Sequence, residues 1–206
     1  MSESNMLELE EKYYSQGYNV ICGIDEVGRG CYAGPVCTAA VILPRGLVIE
    51  GVKDSKKISE KKREQLFDVT KEKVIDYSIG WASVEEVEYL NVLKATMLAM
   101  KRAAEGLKVK PDFIMIDGNK TPELSVPCEA IIGGDAISES IAAASILAKV
   151  TRDRLMREYA LKYPQYEFEK NKGYGTPKHG ELVIRYGPCE LHRMSYLRKL
   201  FARHEE

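Results

Sequence analysis

Short apolar runs, each ending at acidic or turn-forming residues, alternate along this chain with longer helical patterns. The β-branched run from Val20 to Ile24, interrupted by Cys22 and Gly23, predicts a buried strand that ends just before Asp25 and Glu26. Four further runs have the length and composition of strands. They are Val36 to Leu43, Tyr77 to Ala82, Phe113 to Ile116 and Ala130 to Ile132.

Cap residues mark the starts of helices between these runs. Ser59 is a suitable N-cap after the basic loop from Lys53 to Arg63, and Ser83 with Glu86 has the spacing of a capping box. Small side chains recur after Ser138 and would let a helix there pack close to a sheet. The predicted helices extend from Ser59 to about Val74, from Ser83 to about Gly106 and from Ser138 to about Leu161, with two short helices beyond Gly175.

The composition is that of an ordinary globular protein. The chain has 206 residues, of which 45% are apolar and 30% charged, so we expect one compact domain with one substantial core. No stretch approaches the ~18 consecutive apolar residues of a membrane span, and the acidic start of the chain is unlike a signal peptide. The five cysteines are odd in number and form no Cys-x-x-Cys pair. These features favour a reducing, cytoplasmic location.

The net charge of −1 conceals an uneven distribution. Residues 1–30 carry two basic and six acidic side chains, whereas residues 141–206 carry thirteen basic and eight acidic ones. This split suits an acidic site beside a basic surface that holds a phosphate backbone. Solvated faces without a function explain the charges alone equally well.

Four acids share one kind of position along the chain. Asp25, Glu26, Asp117 and Asp135 each follow an apolar run directly or lie in the turn beyond it. Because neighbouring strand ends converge in an α/β sheet, acids distant in sequence can meet there. Carboxylates held together repel one another unless a hard cation such as Mg²⁺ neutralises them. One such acid is as readily a solvated turn residue or a helix cap, but four at matched positions favour a cluster.

Other catalytic or metal-binding sites fit the sequence poorly. Cys189 and His192 lack a second pair with zinc-ligand spacing, so we interpret the cysteines as core thiols and the histidines as surface residues. The turn from Gly28 to Gly30 lacks the Gly-Lys-Ser/Thr ending of a phosphate-binding P-loop. The Gly-x-Ser-x-Gly motif of esterases is also missing.

Several blocks of the chain together resemble the ribonuclease HII family, a branch of the type 2 ribonucleases H. The first is Asp25 to Gly30 with Gly34-Pro35-Val36, and the resemblance extends from about Val20 to Tyr196. The family usually has a lysine where this chain has Gly133. The later blocks, in the family's order and spacing, are Asp54-Ser55-Lys56-Lys57, Leu93-Lys94-Ala95-Thr96, Ile116-Asp117-Gly118, Ile141 to Asp153, Lys172 to Thr176 and His192-Arg193.

The resemblance implies a ribonuclease H-like α/β fold, with a mixed five-stranded sheet flanked by helices and a helical C-terminal portion. We expect a single domain over residues 1–206, divided into a catalytic core of about 18–162 and a substrate-binding portion of about 163–206. It also implies a monomeric endonuclease that hydrolyses the RNA strand of RNA–DNA hybrids. The same enzyme would cut 5′ of ribonucleotides embedded in duplex DNA, leaving a 3′-hydroxyl and a 5′-phosphate.

The resemblance assigns the four acids Asp25, Glu26, Asp117 and Asp135 to catalysis and metal binding. Two Mg²⁺ or Mn²⁺ ions about 3.5–4 Å apart would activate a water for in-line attack and stabilise the leaving oxygen. We expect the first three acids to be ligands, and Asp135 to complete the metal site or position water.

Substrate recognition is assigned by the same resemblance. The turn of Gly28, Arg29 and Gly30, together with Tyr174, would recognise the 2′-hydroxyl that distinguishes RNA from DNA. Without the resemblance, a plain turn with a packed aromatic side chain is the simpler interpretation. For any one candidate phosphate contact taken alone, a solvated surface residue is the simpler interpretation. The candidates are Lys56, Lys57, Lys149 and Arg152.

Two alternatives differ in function from this interpretation. A non-catalytic nucleic-acid-binding module would explain the basic end of the chain, but acids that repel phosphate would serve it poorly. A ribonuclease HIII would share the acids, yet that family has an added N-terminal domain and only about 19 residues precede the first predicted strand here.

Overall fold

A mixed sheet of five strands lies at the centre of the structure, a computed structural model that describes residues 5–52 and 58–204. The strand order is β3-β2-β1-β4-β5. β1 and β2 are antiparallel, as are β2 and β3, while β4 pairs in parallel with both β1 and β5. The strands are β1 Ile21–Val27, β2 Val36–Ile42, β3 Asp76–Ala82, β4 Phe113–Asp117 and β5 Cys128–Ile131.

The central strand β1 is longer than its apolar run predicts. It continues to Val27, so Asp25 and Glu26 lie within the strand and not in the turn beyond it. Pairing with β2 explains the extension, because the antiparallel ladder continues through Asp25 opposite Ala39 and Glu26 opposite Thr38. The parallel pairing with β4 ends earlier, at Ile24.

Helices cover both faces of the sheet. The predicted N-cap Ser59 accepts a hydrogen bond from the amide of Lys62, and Ser138 caps the longest helix through the amide of Ile141. Within the described ranges, no helix combines the length and apolar character needed to cross a bilayer. The helices are α1 Glu8–Ser15, α2 Glu60–Lys73, α3 Val84–Leu90, α4 Val92–Glu105, α5 Glu139–Lys162, α6 Phe168–Asn171, α7 Pro177–Tyr186 and α8 Met194–Ala202.

The helix predicted from Ser83 to about Gly106 is wrong in one respect, because it consists of α3 and α4. Ser83 and Glu86 do form the predicted capping box. Asn91 then takes a φ of 69°, and its side-chain oxygen accepts hydrogen bonds from the amides of Leu93 and Lys94. Asparagine readily replaces helical hydrogen bonds with such local ones, so it ends α3 and caps α4 at the same time.

Helix α5 crosses β1 at very short range. A Cβ atom on Gly23 would lie 2.4 Å from the backbone of Ser140 and Ile141, so a glycine is needed at this crossing. The buried alanines at the start of the helix, including Ala142 and Ala144, complete the close packing. This contact brings the next turn of α5 alongside the end of β1.

The C-terminal portion packs against the turn that follows β1. Isolated β-bridges join Cys31 to Tyr174 and Ala33 to His192. Two short helices were predicted here; the described residues contain the single-turn α6 in addition to α7 and α8. A core that fixes this portion contains Ala33, Met156, Ala160, Tyr166, Phe168, Leu182, Val183, Leu191 and Leu197.

Candidate active site

Three of the four predicted acids meet where β1 and β4 lie side by side. Asp25 and Glu26 come from β1, and Asp117 is the last residue of β4. Each offers a carboxylate oxygen within 4.8 Å of those of the other two. The acids line one wall of a cleft of about 420 Å³. The parallel pairing of the two strands therefore brings together residues that are about ninety positions apart.

These carboxylates are held close at an energetic cost. Burial raises the pKa of Asp25 well above its usual range, and the charges of Glu26 and Asp117 raise it further. The amide of Glu26 and the hydroxyl of Ser145 donate hydrogen bonds to Asp25 and partly oppose that rise. Burial also raises the pKa of Glu26, against the opposing effect of Arg29. The cluster thus repels negative charge and would gain from a cation.

A hard divalent cation fits the donors that are present. All three ligand groups are carboxylates, the oxygen donors that Mg²⁺ and similar ions prefer. Glu26 Oε1 accepts from Arg29 at 3.0 Å, but its buried Oε2 has no hydrogen-bond partner. A buried oxygen without a partner is costly in a folded protein, and a metal ion at this point would satisfy it.

Asp135 lies beside the cluster and not within it. It belongs to a 3-10 turn, Gly134–Ala136, which follows β5, and its side chain is half-buried. The neighbouring amide of Gly134 donates a hydrogen bond of 2.7 Å to Asp117 Oδ1. The turn that carries Asp135 is thereby fixed to the acid cluster.

The turn after β1 forms a second wall of the cleft. Gly28 has a φ of +91°, and a Cβ there would lie 2.2 Å from Arg152 Nε and 2.9 Å from the carbonyl oxygen of Pro35. Gly30 differs, since a Cβ there would meet nothing within 4 Å. Gly28 is therefore required by the fold, whereas the open space at Gly30 faces the cleft, where a ligand can approach its backbone.

Arg152 is not available to a phosphate, so this part of the sequence prediction is wrong. Its side chain is fully buried and donates to three backbone carbonyl oxygens, those of Ala33, Pro35 and Lys172, at 2.8 to 3.0 Å. Arg193 is equally buried and holds the turn from the other side. These two guanidinium groups fix the turn.

Tyr174 and Lys149 extend the cleft away from the acids. Tyr174 is 36% exposed, with Lys149 Nζ 5.2 Å from the centre of its ring. Lys149 also pairs with Asp153 at 2.8 Å, one turn along α5. Burial raises the pKa of Tyr174 to about 12, so its hydroxyl stays protonated at neutral pH. A partly open aromatic ring beside a cation is suited to contact a sugar and its phosphate.

Sequence reasoning missed two polar residues that line the cleft. Ser145 was assigned only to close packing, yet it hydrogen-bonds Asp25. Arg63 was treated as part of a basic loop, but it contributes a second cation to the cleft wall from α2. The predicted phosphate contacts Lys56 and Lys57 lie outside the described residues.

The histidines near Tyr174 are buried, contrary to the surface positions that were predicted. His179 Nδ1 lies 2.9 Å from the carbonyl oxygen of Tyr174, and its Nε2 lies 3.1 Å from His192 Nε2. His192 Nδ1 accepts from the amide of Cys189. One assignment of protons satisfies all three hydrogen bonds: both rings are neutral, His192 Nε2 donates to His179 Nε2, and His179 Nδ1 donates to the carbonyl oxygen of Tyr174. The histidines thus support the backbone of Tyr174.

The comparisons with known proteins agree with this geometry. The family model for ribonuclease HII matches residues 22–199. Over 200 residues the chain is 50% identical to the ribonuclease HII of Caldicellulosiruptor bescii, covering 97% of both chains. It is similar to the crystal structure of ribonuclease H2 from Pyrococcus horikoshii, with a TM-score of 0.75, 27% identity and coverage of 91% of this chain and all of that one.

A more distant likeness concerns the fold alone. The Bst ribonuclease HIII, crystallised in complex with Mn²⁺, has a TM-score of 0.73 and 20% identity. The match covers 89% of this chain but only 70% of the ribonuclease HIII chain. The predicted ribonuclease H-like fold, a mixed five-stranded sheet flanked by helices, is confirmed.

Proposed function

Because the chain belongs to the ribonuclease HII family and is therefore an endonuclease of the ribonuclease H type, we propose that it cuts the RNA strand of RNA–DNA hybrids and cleaves 5′ of single ribonucleotides in duplex DNA. The observation that carries the proposal is the cluster of three carboxylates beside the turn of Gly28 to Gly30. A carboxylate cluster suits phosphodiester hydrolysis, and an open glycine turn suits recognition of a sugar.

Asp25, Glu26 and Asp117 are the proposed metal ligands, and Asp135 is proposed to support them from the adjoining turn. Two Mg²⁺ or Mn²⁺ ions bound there would supply an activated water and charge stabilisation for in-line displacement at phosphorus. Ser145 and the amide of Glu26 fix the Asp25 carboxylate. Arg29 binds one oxygen of Glu26, and the other oxygen, which is buried and has no hydrogen-bond partner, is the one proposed to bind a metal ion. The products are a 3′-hydroxyl and a 5′-phosphate.

Recognition of the ribose is assigned to Gly28, Arg29 and Gly30. Only the 2′-hydroxyl distinguishes the two sugars, so the protein needs a donor or acceptor within hydrogen-bonding distance of it. The open space at Gly30 allows backbone groups to come that close. Tyr174, which lines the same cleft and is bridged to Cys31 just beyond the turn, is proposed to lie against the next sugar along the strand.

Phosphate binding is assigned to cations on the cleft walls, with Lys149 and Arg63 as the described candidates. Lys56 and Lys57 remain candidates from the sequence. Lys149 is held by Asp153 at 2.8 Å, which orients it while leaving further donors on its ammonium group. Each phosphate contact should contribute to affinity without regard to base sequence.

Product mapping tests the proposal directly. A labelled DNA duplex with one ribonucleotide should be cut once, on the 5′ side of that nucleotide, and the cut should require Mg²⁺ or Mn²⁺. An all-DNA duplex of the same sequence should stay intact. Cleavage of long RNA–DNA hybrids without any cut at the single ribonucleotide would contradict the junction part of the proposal.

A further inference from the structure

The side chain of Arg193 binds both ends of the turn that follows β1, from Gly28 to Gly34. Its Nη2 donates to the carbonyl oxygen of Gly28 at 2.7 Å, and its Nη1 donates to that of Arg29 at 2.8 Å. Nε and Nη2 both donate to the carbonyl oxygen of Gly34, at 3.0 and 2.6 Å. Arg193 is fully buried, and its bonds to Gly28 and Gly34 form away from water, while its bond to Arg29 is partly buried. One rigid, planar group therefore spans residues 28–34.

Tyr196, one turn into the same segment, reinforces one of these bonds. Its hydroxyl donates to the carbonyl oxygen of Arg29 at 2.9 Å, the same oxygen that Arg193 Nη1 binds. The Arg29 carbonyl thus has two donors on one side. Because a trans peptide is planar, fixing this oxygen also fixes the amide of Gly30, which points the opposite way. In the same manner, the bond to Gly28 fixes the amide of Arg29.

Arg152, the second buried arginine, binds a different set of carbonyl oxygens. Arg152 binds the carbonyl oxygens of Ala33, Pro35 and Lys172, and none of these three bonds falls on residues 28–30. Arg193, together with Tyr196, is hydrogen-bonded to the carbonyl oxygens of Gly28 and Arg29, which line the cleft. Although it lies behind the turn, it sets the direction of the groups in front.

We propose that Arg193, assisted by Tyr196, is the positioning residue for ribose selectivity: it orients the peptide groups of Gly28 to Gly30 that distinguish a 2′-hydroxyl from a hydrogen. The inference rests on the proposed function, which assigns ribose recognition to that turn. A purely structural role would lower stability without changing the preference between the two sugars.

Selectivity is measured as the ratio of two dissociation constants, for an all-DNA duplex and for the same duplex with one ribonucleotide. Fluorescence anisotropy gives both values with Ca²⁺ in place of Mg²⁺, and gels verify that the strands stay intact. Tyr196→Phe removes one hydroxyl donor from the turn. Tyr166→Phe is its matched control, because the Tyr166 hydroxyl donates to the carbonyl oxygen of Gly187, outside the turn. Arg193→Lys keeps the charge but cannot span the same carbonyls.

We expect the ratio to fall about threefold to fivefold in Tyr196→Phe, the effect of one hydrogen bond, and about tenfold or more in Arg193→Lys. Tyr166→Phe should leave it unchanged even though urea unfolding shows a comparable loss of stability. If Arg193→Lys does not fold, the comparison of Tyr196→Phe with Tyr166→Phe tests the inference by itself. An unchanged ratio in every folded turn variant would overturn the inference.

The proposed function is tested separately in the same series. The unmodified protein should cleave the ribonucleotide duplex in Mg²⁺ and prefer it in Ca²⁺. Failure of the unmodified protein on both counts would overturn the proposed function and the inference with it. Normal behaviour of the unmodified protein, with unchanged selectivity in the variants, would overturn the inference alone.

Discussion

The two glycines of the recognition turn should respond in opposite ways to the same added methyl group. Gly28 and Gly30 are two residues apart and both line the cleft. At Gly28 the new Cβ would lie 2.2 Å from Arg152 Nε, on a backbone with a φ of +91°. At Gly30 it would enter open space, and the φ there is not positive. Gly28→Ala is therefore a test of folding, and Gly30→Ala is a test of substrate approach.

The expected losses can be worked from these contacts. For Gly28→Ala, a positive φ costs an L residue roughly 1–2 kcal/mol. Displacing Arg152 from the Pro35 carbonyl costs about 1.5–3 kcal/mol more. A total of about 2.5–5 kcal/mol is a large part of the ~5–15 kcal/mol that stabilises a typical protein. Gly30→Ala should instead leave stability unchanged or raise it by about 0.4–1 kcal/mol, since alanine restricts the unfolded chain.

In Gly30→Ala the cleavage rate should fall although stability is retained. A methyl group between the turn and the sugar would displace the substrate by about 1 Å, a misplacement that lowers turnover by roughly 100-fold. Urea unfolding and single-turnover cleavage of a duplex with one ribonucleotide give the two quantities. The reasoning would be refuted by Gly30→Ala protein that is markedly destabilised, or that is stable and cleaves at the normal rate.

Four further changes probe the rest of the site. Asp25→Asn should abolish cleavage in Mg²⁺, and near-normal cleavage would contradict its role as a ligand. In EDTA the same change should raise the unfolding free energy by roughly 1–3 kcal/mol, because two charges 4.8 Å apart repel by up to about that much at an effective dielectric constant near 20. Tyr174→Ala should slow cleavage at a single ribonucleotide much more than cleavage of an all-RNA strand paired with DNA, and equal losses would indicate a general structural role. Gly133→Lys, at an exposed position with a φ of +66°, should tighten binding at low salt and steepen the salt dependence by up to about 0.9 in logarithmic slope; an unchanged slope would place residue 133 away from the substrate. Burial lowers the pKa of His192 to about 4, so the free energy of unfolding should be highest above about pH 6.5 and fall by up to about 3 kcal/mol as the pH drops towards 4. Urea unfolding measured at each pH should give a flatter profile for His192→Asn.

The strands and the acid cluster were predictable because their signals are local. A β-branched run identifies a buried strand, and an acid at its end stands out against that run. Asp25 and Asp117 could therefore be paired before their strands were seen to be parallel neighbours. Even the break at Asn91 has a local cause, since its side chain caps the next helix.

Burial of individual polar residues could not be predicted in the same way. Arg152 and His192 belong to types that are usually exposed, and nothing beside them in the sequence indicates otherwise. Each is buried because a distant segment folds over it: the turn at Ala33 to Pro35 covers Arg152, and the helices of the C-terminal portion enclose His192. Such burial depends on tertiary contacts. Sequence reasoning therefore failed at these supporting residues, whereas for the acids it anticipated the meeting of Asp25, Glu26 and Asp117 but not the position of Asp135 outside that group.

The choice of acceptor for the buried arginines bears on the chemistry of the cleft. The side-chain donors of Arg152 and Arg193 are directed at backbone carbonyl oxygens and not at carboxylates. Carbonyl oxygens satisfy the donors without cancelling the positive charge. A carboxylate counterion here would lie close to Asp25 and Glu26 and would add to a cluster that already repels itself. The two buried arginines thus hold the turn without adding a carboxylate to the acid cluster.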